Sequence, residues 1–580
     1  MRDLENFWRK NLNLIHWKKK PKKIVNKNKI NNQYIWFKDG KLDIYYNIIT
    51  KNISKGLKNK TAIIFVSKLG QIKKLSYLDL DIAVKKYESL LISIFKGKKI
   101  SQKKVMIQAS SNLDTIFIIL SCVKLGVEYS VIFNDIENEG IKKRITLFKP
   151  NLYLFEKNID KKKFYKFKKI IFFSFKEFKN FKIKKSTKIT TQIRNFNSNK
   201  NLFTLFTSGS TGMPKGIVHN FGGFFIYVKH TIINKFGLKK ESTMLTASDI
   251  GWLNGHNYSL YGPLSVGATT IVLESPMILL NSKELKKILN LGVNILYLPV
   301  TLIRLMKSVF KDDEKFKTKY LNTLGSMGEH IAPSIAEWFA KTFTDKSKCI
   351  VNAYYQTENG GIICSPSYKD RTSKFPHGSA GNTANKFLKL NTLHSEKKKM
   401  LKILTPWPGC MKKILSNNKN DWKKYWDKNG NFLMYDLATK KKGTVYIHGR
   451  TDDVINIRGK RIGCEEIESV ILELKNISET CAISIEDELE GSILYVFVVA
   501  KKESSKNAFI DKLKSNFGIF SIPKKIFFID KMPKTKSGKI LRRLLRDILL
   551  NPETKSYGDI STIQDKSIIL SIKKTINQNE

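Results

Sequence analysis

Between Leu202 and Gly216 an apolar, β-prone run ends abruptly in small residues: Leu-Phe-Thr-Leu-Phe-Thr-Ser-Gly-Ser-Thr-Gly-Met-Pro-Lys-Gly. A strand must stop there. Gly209, Gly212 and Gly216 let the backbone turn sharply and approach a ligand closely. The hydroxyls of Thr207, Ser208, Ser210 and Thr211 and the free backbone N–H groups form an anion-binding concavity, and Lys215 adds a mobile point charge. The segment reads as a polyphosphate loop. No Gly-Lys-Ser/Thr follows at the Walker A spacing, so it is not a P-loop of that kind.

The surroundings predict an α/β fold. Val105 to Ala109 reads as a short buried strand and Leu113 to Val123 as a helix stopped by Gly126. Val131 to Phe133 reads as the next strand, and the βαβ rhythm implies a mostly parallel sheet covered by helices. Leu202 to Thr207 would then carry the loop at its carboxyl end, where such sheets bind ligands. Near Gly449 to Asp453 the rhythm restarts as a small α+β unit, with a helix over Cys464 to Leu474 and a strand over Ile493 to Ala500. A chain of 580 residues exceeds one core. We expect a large multi-subdomain α/β domain over residues 1–451 and a small mobile α+β domain over 452–580. The lysine- and asparagine-rich stretch from Leu390 to Lys428 reads as a surface loop around Trp407-Pro408-Gly409.

Five further segments carry polar residues between glycines or at strand ends. They are Asp249-Ile250-Gly251-Trp252-Leu253-Asn254-Gly255-His256, Leu324-Gly325-Ser326-Met327-Gly328-Glu329, Tyr354-Tyr355-Gln356-Thr357-Glu358, Gly449-Arg450-Thr451-Asp452-Asp453 and Pro533-Lys534-Thr535-Lys536-Ser537-Gly538-Lys539. Taken singly, these would read as packed turns, caps or ion-paired loops. With the phosphate loop, and in this order, they resemble the motifs of the adenylate-forming enzymes: acyl-CoA synthetases, luciferases and peptide-synthetase adenylation domains. The opening from Phe7-Trp8 to Gly40 and the tail Gly558-Asp559-Ile560-Ser561-Thr562 are similar to the acetyl- and propionyl-CoA synthetases.

The resemblance implies the adenylate-forming fold and a set of roles. Thr207 to Gly212 and Lys215 would hold ATP phosphates. Leu324 to Glu329 would form the adenine-pocket segment, with Gly328 against the purine ring, and Glu329, His330, Asn352, Ala353, Tyr354, Tyr355 and Gln356 would also bind ATP. Thr357 would contact the α-phosphate, and Glu358 would help hold Mg²⁺ through oxygen. Asp436 would take both ribose hydroxyls, although Tyr435 stands where the family has glycine. Arg450 and Arg461 would contact ribose and phosphate, Asp452 would be the hinge, and Lys539 the catalytic lysine. Trp252, Leu253, Asn254, Met327 and Tyr355 would shape the acyl pocket, with Tyr355 in place of a tryptophan. Asn254, Arg458, Gly459 and Lys514 would meet CoA. The family's early arginine pair is missing; either Lys161, Lys162 and Lys163 substitute or the grip on the CoA 3′-phosphate is weaker. A backbone-carbonyl cation site would fall at Leu472, Leu474 and Ile477.

The implied reaction makes an acyl-adenylate and then a thioester, with ATP and CoA as substrates and Mg²⁺ as cofactor. Bulky Tyr355, Leu253 and Met327 point to a small acid: acetate, with propionate the alternative. An adenylating ligase for another acid and a nucleotide-binding protein without catalysis are the rival readings. An exposed Lys539 would also suit a lysine acyltransferase and deacylase as partners, since acylation removes its charge.

The formal charge of +54 invites a nucleic-acid reading, most of all between Lys157 and Lys188, where lysines alternate with phenylalanines. Lysine, however, is abundant along the whole chain, which fits solvated surface better than a dedicated groove. The six cysteines lack CxxC spacing, so neither a zinc site nor a disulfide framework is indicated. No signal-peptide pattern is visible, and the apolar stretch Leu113 to Phe133 is broken by Asp114, Lys124 and Glu128. The chain reads as a cytoplasmic protein without membrane or specific nucleic-acid partners.

Overall fold

The computed structural model of the chain describes residues 1–27, 33–100, 103–136, 138–157, 159–182, 193–208, 214–311, 313–344, 347–391, 399–418, 420–451, 454–457, 460–474, 476–487, 491–500, 506–517, 519–535, 538–554, 557, 560 and 563–578. Two seven-stranded sheets build the larger part. In the first, Asn201–Ser208, Glu128–Ile132, Lys104–Gln108, Leu152–Phe155 and Ile171–Ser174 run parallel in that order. Pro214–Asn220 and Lys413–Leu415 extend it antiparallel. In the second, Val351–Asn352, Thr323–Met327, Ile295–Pro299, Thr243–Thr246, Thr269–Leu273 and Thr61–Val66 are parallel, closed by antiparallel Ile72–Ser76.

Both sheets bury both faces, as parallel sheets must. Ile295 and Tyr297 face a core shared by the two sheets, while Leu296 and Leu298 face an outer core with Leu285, Ile303 and Phe339. Val105 and Ile107 face the shared core, and Met106 faces a third cluster with Ile141 and Ile145. Helices Tyr77–Gly97, Leu113–Leu125 and Phe221–Phe236 fill the shared layer. Asn112 caps the second of these through Thr115 N at 2.8 Å, and Gly126 ends it at φ 65°. That stop is the one expected from sequence.

The C-terminal residues have cores of their own. Strands Ile477–Asp487 and Gly491–Ala500 are antiparallel, and Lys525–Phe528 joins them in parallel. The period-two alternation sorts their side chains. Cys481, Ile483 and Phe497 pack on Leu544, Leu545 and Ile572; Ala482, Val496 and Val498 pack on Ile467, Ile471 and Leu513. This is the expected α+β unit. Among the described residues, no helix is long and apolar enough to cross a membrane.

Three local expectations need correction. The strand placed at Val131–Phe133 is Glu128–Ile132, because its parallel partner Lys104–Gln108 sets the register. The helix placed to Leu474 ends at Ile471, where the last turn closes back on itself. The stretch 390–428 is not a surface loop: it contributes Lys399–Ile403 and Lys413–Leu415 to two sheets, and Trp407 is 2% exposed. Composition misled there: Leu401 and Ile403 are buried within the first of these strands although lysines flank them. In the lysine–phenylalanine stretch, Phe164, Phe175 and Phe178 are buried core residues, so these rings offer no stacking platform.

Candidate active site

The strand Asn201–Ser208 ends where the phosphate loop begins, and Thr207 pairs with Lys215 across the hairpin. Gly209, Ser210, Thr211 and Gly212 lie outside the described residues, as do Asp452, Arg458 and Gly459 and the side chains of Ser208 and Arg461. Lys215 is not the mobile charge expected from the loop. It is 8% exposed and lies 3.6 Å from Asp421, since its strand is covered by the segment 421–426.

The turn Thr357–Asn359 is stitched to neighbours on two sides. His219 Nε2 donates to the Thr357 carbonyl at 2.8 Å; burial lowers its pKa to about 4, so the ring is neutral. Trp407 Nε1 donates to the Asn359 carbonyl at 2.9 Å and Met411 N to the Glu358 carbonyl at 2.8 Å. A side chain on Gly360 would collide with the Gly409 carbonyl, so the two turns need glycine on both sides. Glu358 is thereby buried, with Oε1 accepting from the Tyr425 hydroxyl at 2.7 Å. Among the described residues, no group of three or more His, Cys, Asp or Glu is arranged to hold a metal ion. A magnesium ion carried mainly by nucleotide phosphates needs no such cluster. Glu358 offers it one buried carboxylate whose second oxygen accepts from no described residue, and the residues fit that demand.

Asp436 is the meeting point of separate motifs. Its strand Phe432–Lys441 pairs with Thr444–Arg450, putting Asp436 opposite Arg450. The carboxylate accepts from the Tyr354 hydroxyl, from Gln356 Nε2 at 2.8 Å and from Arg450 at 3.4 Å. Burial raises its pKa, while Arg450, Tyr354, Gln356 and Lys539 pull it back down. Lys539 therefore lies within electrostatic reach of Asp436. The loop that carries it is closed by Thr535, whose N–H donates to the Lys539 carbonyl at 2.8 Å. Gly538 has φ 85° and packs against Thr301, leaving no room for a Cβ. Lys539 itself is exposed.

The acyl-pocket residues also converge in part. The Tyr355 hydroxyl donates to Asn254 Oδ1, which also accepts from the Tyr297 hydroxyl at 3.3 Å. Tyr258 meets the Tyr355 ring edge-on at 5.9 Å. Leu253 and Met327 are buried, and Trp252 packs on Phe133 at 4.8 Å. Sequence reasoning missed Tyr297. Only the sheet register could have found Tyr297, whose ring occupies the space that a side chain at Gly325 would fill.

Other expected residues sit differently. Both amide atoms of Asn352 are engaged, by Ser326 at 3.0 Å and the Ser379 carbonyl at 3.0 Å. Gly328 is exposed at φ 92°. Burial lowers His330 to a pKa of about 4. Lys514 and Lys161 to Lys163 are exposed on separate helices. Leu472, Leu474 and Ile477 surround the turn after Cys464–Ile471.

Glu329 pairs with Arg304 on the helix Val300–Val309, and Arg304 also feels Glu468 and Glu479 of the C-terminal unit. Beside them Glu465 packs on Gly449 with Oε2 buried and unpartnered among the described residues. Burial pushes its pKa up to about 8; Glu468, Asp436 and Glu329 reinforce this and Arg542 opposes it. This domain arrangement thus favours the neutral carboxyl. A raised acid stabilises the arrangement fully below the ordinary value of 4.5, and that support is lost as pH climbs through about 8. Each pH unit in that window should weaken the contact by up to ~1.4 kcal/mol. Solution scattering at pH 6 and pH 9 should show the C-terminal unit loosening, and Glu465→Gln should remove the pH dependence. An unchanged profile in the variant would refute this role.

The AMP-binding enzyme family matches residues 51–391, the AMP-binding enzyme C-terminal domain residues 466–539, and the acetyl-coenzyme A synthetase N-terminus residues 1–48. An acetyl-coenzyme A synthetase of Wolinella succinogenes is 30% identical, over 99% of this chain and 94% of that protein. One from Helicobacter pylori strain G27 is 28% identical over 100% and 94%. The acetoacetyl-CoA synthetase structure from Streptomyces lividans superposes with a TM-score of 0.82 at 13% identity, covering 100% and 93%. The Bacillus subtilis o-succinylbenzoate CoA synthetase, solved with its acyl-adenylate intermediate, gives 0.73 at 17% over 90% and 99%. These two structures share the fold. With two seven-stranded sheets, a separate α+β unit and family matches across both, this chain belongs to the AMP-binding enzymes.

Proposed function

We propose that the chain is an AMP-forming short-chain acyl-CoA synthetase that activates acetate with ATP and transfers the acetyl group to CoA. The observation that carries this reading is geometric: Tyr354, Gln356 and Arg450 gather on the Asp436 carboxylate, and Gly538, beside Lys539 in the C-terminal unit, packs against Thr301 of the larger part. Relatives named acetyl-coenzyme A synthetase align over essentially the full length, which favours acetate.

In the first step a carboxylate oxygen attacks the α-phosphorus. A P–O bond forms to the acid, the α–β bridge breaks and pyrophosphate leaves. Anion meets anion, so positioning and charge neutralisation are what the protein must supply. Thr207 to Gly212 and Lys215 hold the β- and γ-phosphates, Asp436 with Arg450 fixes the ribose, and Lys539 bridges the carboxylate and the α-phosphate. Glu358 would hold magnesium together with the nucleotide, and the ion would supply charge withdrawal from the phosphate oxygens. In the second step the small domain, 452–580, turns about Asp452 and removes Lys539. The CoA thiol, losing its proton to solvent, attacks the acyl carbon; the thioester forms and AMP departs. One site then serves two reactions through domain rotation. Arg458, Gly459 and Lys514 meet CoA in that second arrangement. The exposed Lys539 amine suits a lysine acyltransferase and deacylase, whose action would stop the first step by removing the charge.

Acid-dependent ATP–pyrophosphate exchange with C2 to C6 acids, followed by CoA-dependent AMP release, tests this. Acetate should give the highest kcat/KM, with propionate reduced by about the ~1–3 kcal/mol that one methylene is worth. No exchange with any acid would overturn the reading.

A further inference from the structure

The segment Asp421–Trp426 touches two charged residues of the site, Lys215 and Glu358. Asp421 is 3.6 Å from the Lys215 ammonium, which sits 5.9 Å from the Tyr425 ring centroid. The Tyr425 hydroxyl donates to Glu358 Oε1 at 2.7 Å. That ring is fixed from two sides, stacked on Phe432 at 5.6 Å and met edge-on by Tyr435 at 6.4 Å. Tyr435 also donates its hydroxyl to the Lys424 carbonyl, locking the backbone beside Tyr425. It does so at φ 56°, a conformation that glycine would hold without strain.

We infer that Tyr425 is a positioning residue for the metal–nucleotide site and that Tyr435 braces it. This rests on the functional reading above. The hydroxyl of Tyr425 engages one oxygen of Glu358 and so restricts how the carboxylate can turn, leaving its other oxygen for a ligand. A carboxylate held in one rotamer has less freedom to lose when the magnesium–nucleotide complex arrives. The presence of tyrosine at position 435 follows from this arrangement: a glycine would relieve the backbone but leave the Tyr425 ring without its edge contact and Lys424 without its hydrogen bond.

Tyr425→Phe removes only the hydroxyl and keeps the ring contacts. Two readouts separate positioning from folding. In acetate-dependent exchange the half-saturating magnesium concentration should rise about tenfold, with kcat at saturating magnesium within about twofold of the parent. Manganese titration of the enzyme–ATP complex, followed by electron paramagnetic resonance, should show binding weakened by a similar factor without any turnover. Tyr435→Gly should move both in the same direction, by about threefold, while its thermal midpoint stays level or rises. Unchanged metal dependence and unchanged manganese binding in Tyr425→Phe would overturn the proposal. If the parent itself shows no exchange with any acid, the functional reading fails, and the manganese titration alone decides the role of Tyr425.

Discussion

Replacing Lys539 with alanine should slow acid-dependent ATP–pyrophosphate exchange by about 10²–10³, the ~3–4 kcal/mol that one preorganised charge-stabilising group supplies. The lysine is delivered by a loop held through Thr535 and seated against Thr301, so its charge is in place before the anions meet. The same variant, given preformed acetyl-adenylate and CoA, should make thioester at nearly the parent rate, because that step runs after Lys539 has withdrawn. The contrast between the two half-reactions is the measurement. Exchange at the full rate in the variant would remove Lys539 from the mechanism, and equal loss in both halves would point to misfolding instead.

Opening the acyl pocket should have the second largest effect. Tyr355→Ala deletes a ring that Tyr258 meets edge-on and whose hydroxyl binds Asn254. The space released can take several methylenes, each worth ~1–3 kcal/mol in such a pocket. The kcat/KM ratio of hexanoate to acetate should therefore rise by at least about 10², through the longer chain filling that space. Tyr355→Phe retains the volume and loses only the bond to Asn254, so its chain-length preference should stay that of the parent. A phenylalanine variant as permissive as the alanine one would show that the hydrogen bond, not the ring volume, sets the limit.

Both predictions depend on residues that were recognisable from motif order alone, yet the contacts behind them were not. Tyr355 could be read as a pocket residue, but Tyr297, which shares its acceptor Asn254, belongs to the strand Ile295–Pro299 with no motif around it. Lys215 read as a free charge because a glycine-rich loop leaves no trace of what covers it; Asp421 arrives from a segment whose composition looks like solvent-exposed loop. Tyr435 looked like a simple departure from a glycine. Its contacts with Tyr425 and Lys424 give that departure a physical cause that offsets the strain of a positive φ.

Local signals in the sequence determined the element types, the phosphate loop at a strand end, the α+β character of the C-terminal unit and the order of the motifs. These are legible because strand, helix and turn preferences act over a few neighbouring residues, as Asn112 and Gly126 illustrate at the two ends of one helix. Only the tertiary structure decided which charges share a site. Asp436 gathers Tyr354, Gln356, Arg450 and the field of Lys539 because two sheets and a separate unit converge there, and the Glu465 carboxyl is pushed toward its neutral form because Oε2 is buried near Gly449 and acidic neighbours. Electrostatic coupling depends on distance and burial, and neither is written in the spacing of residues along a chain.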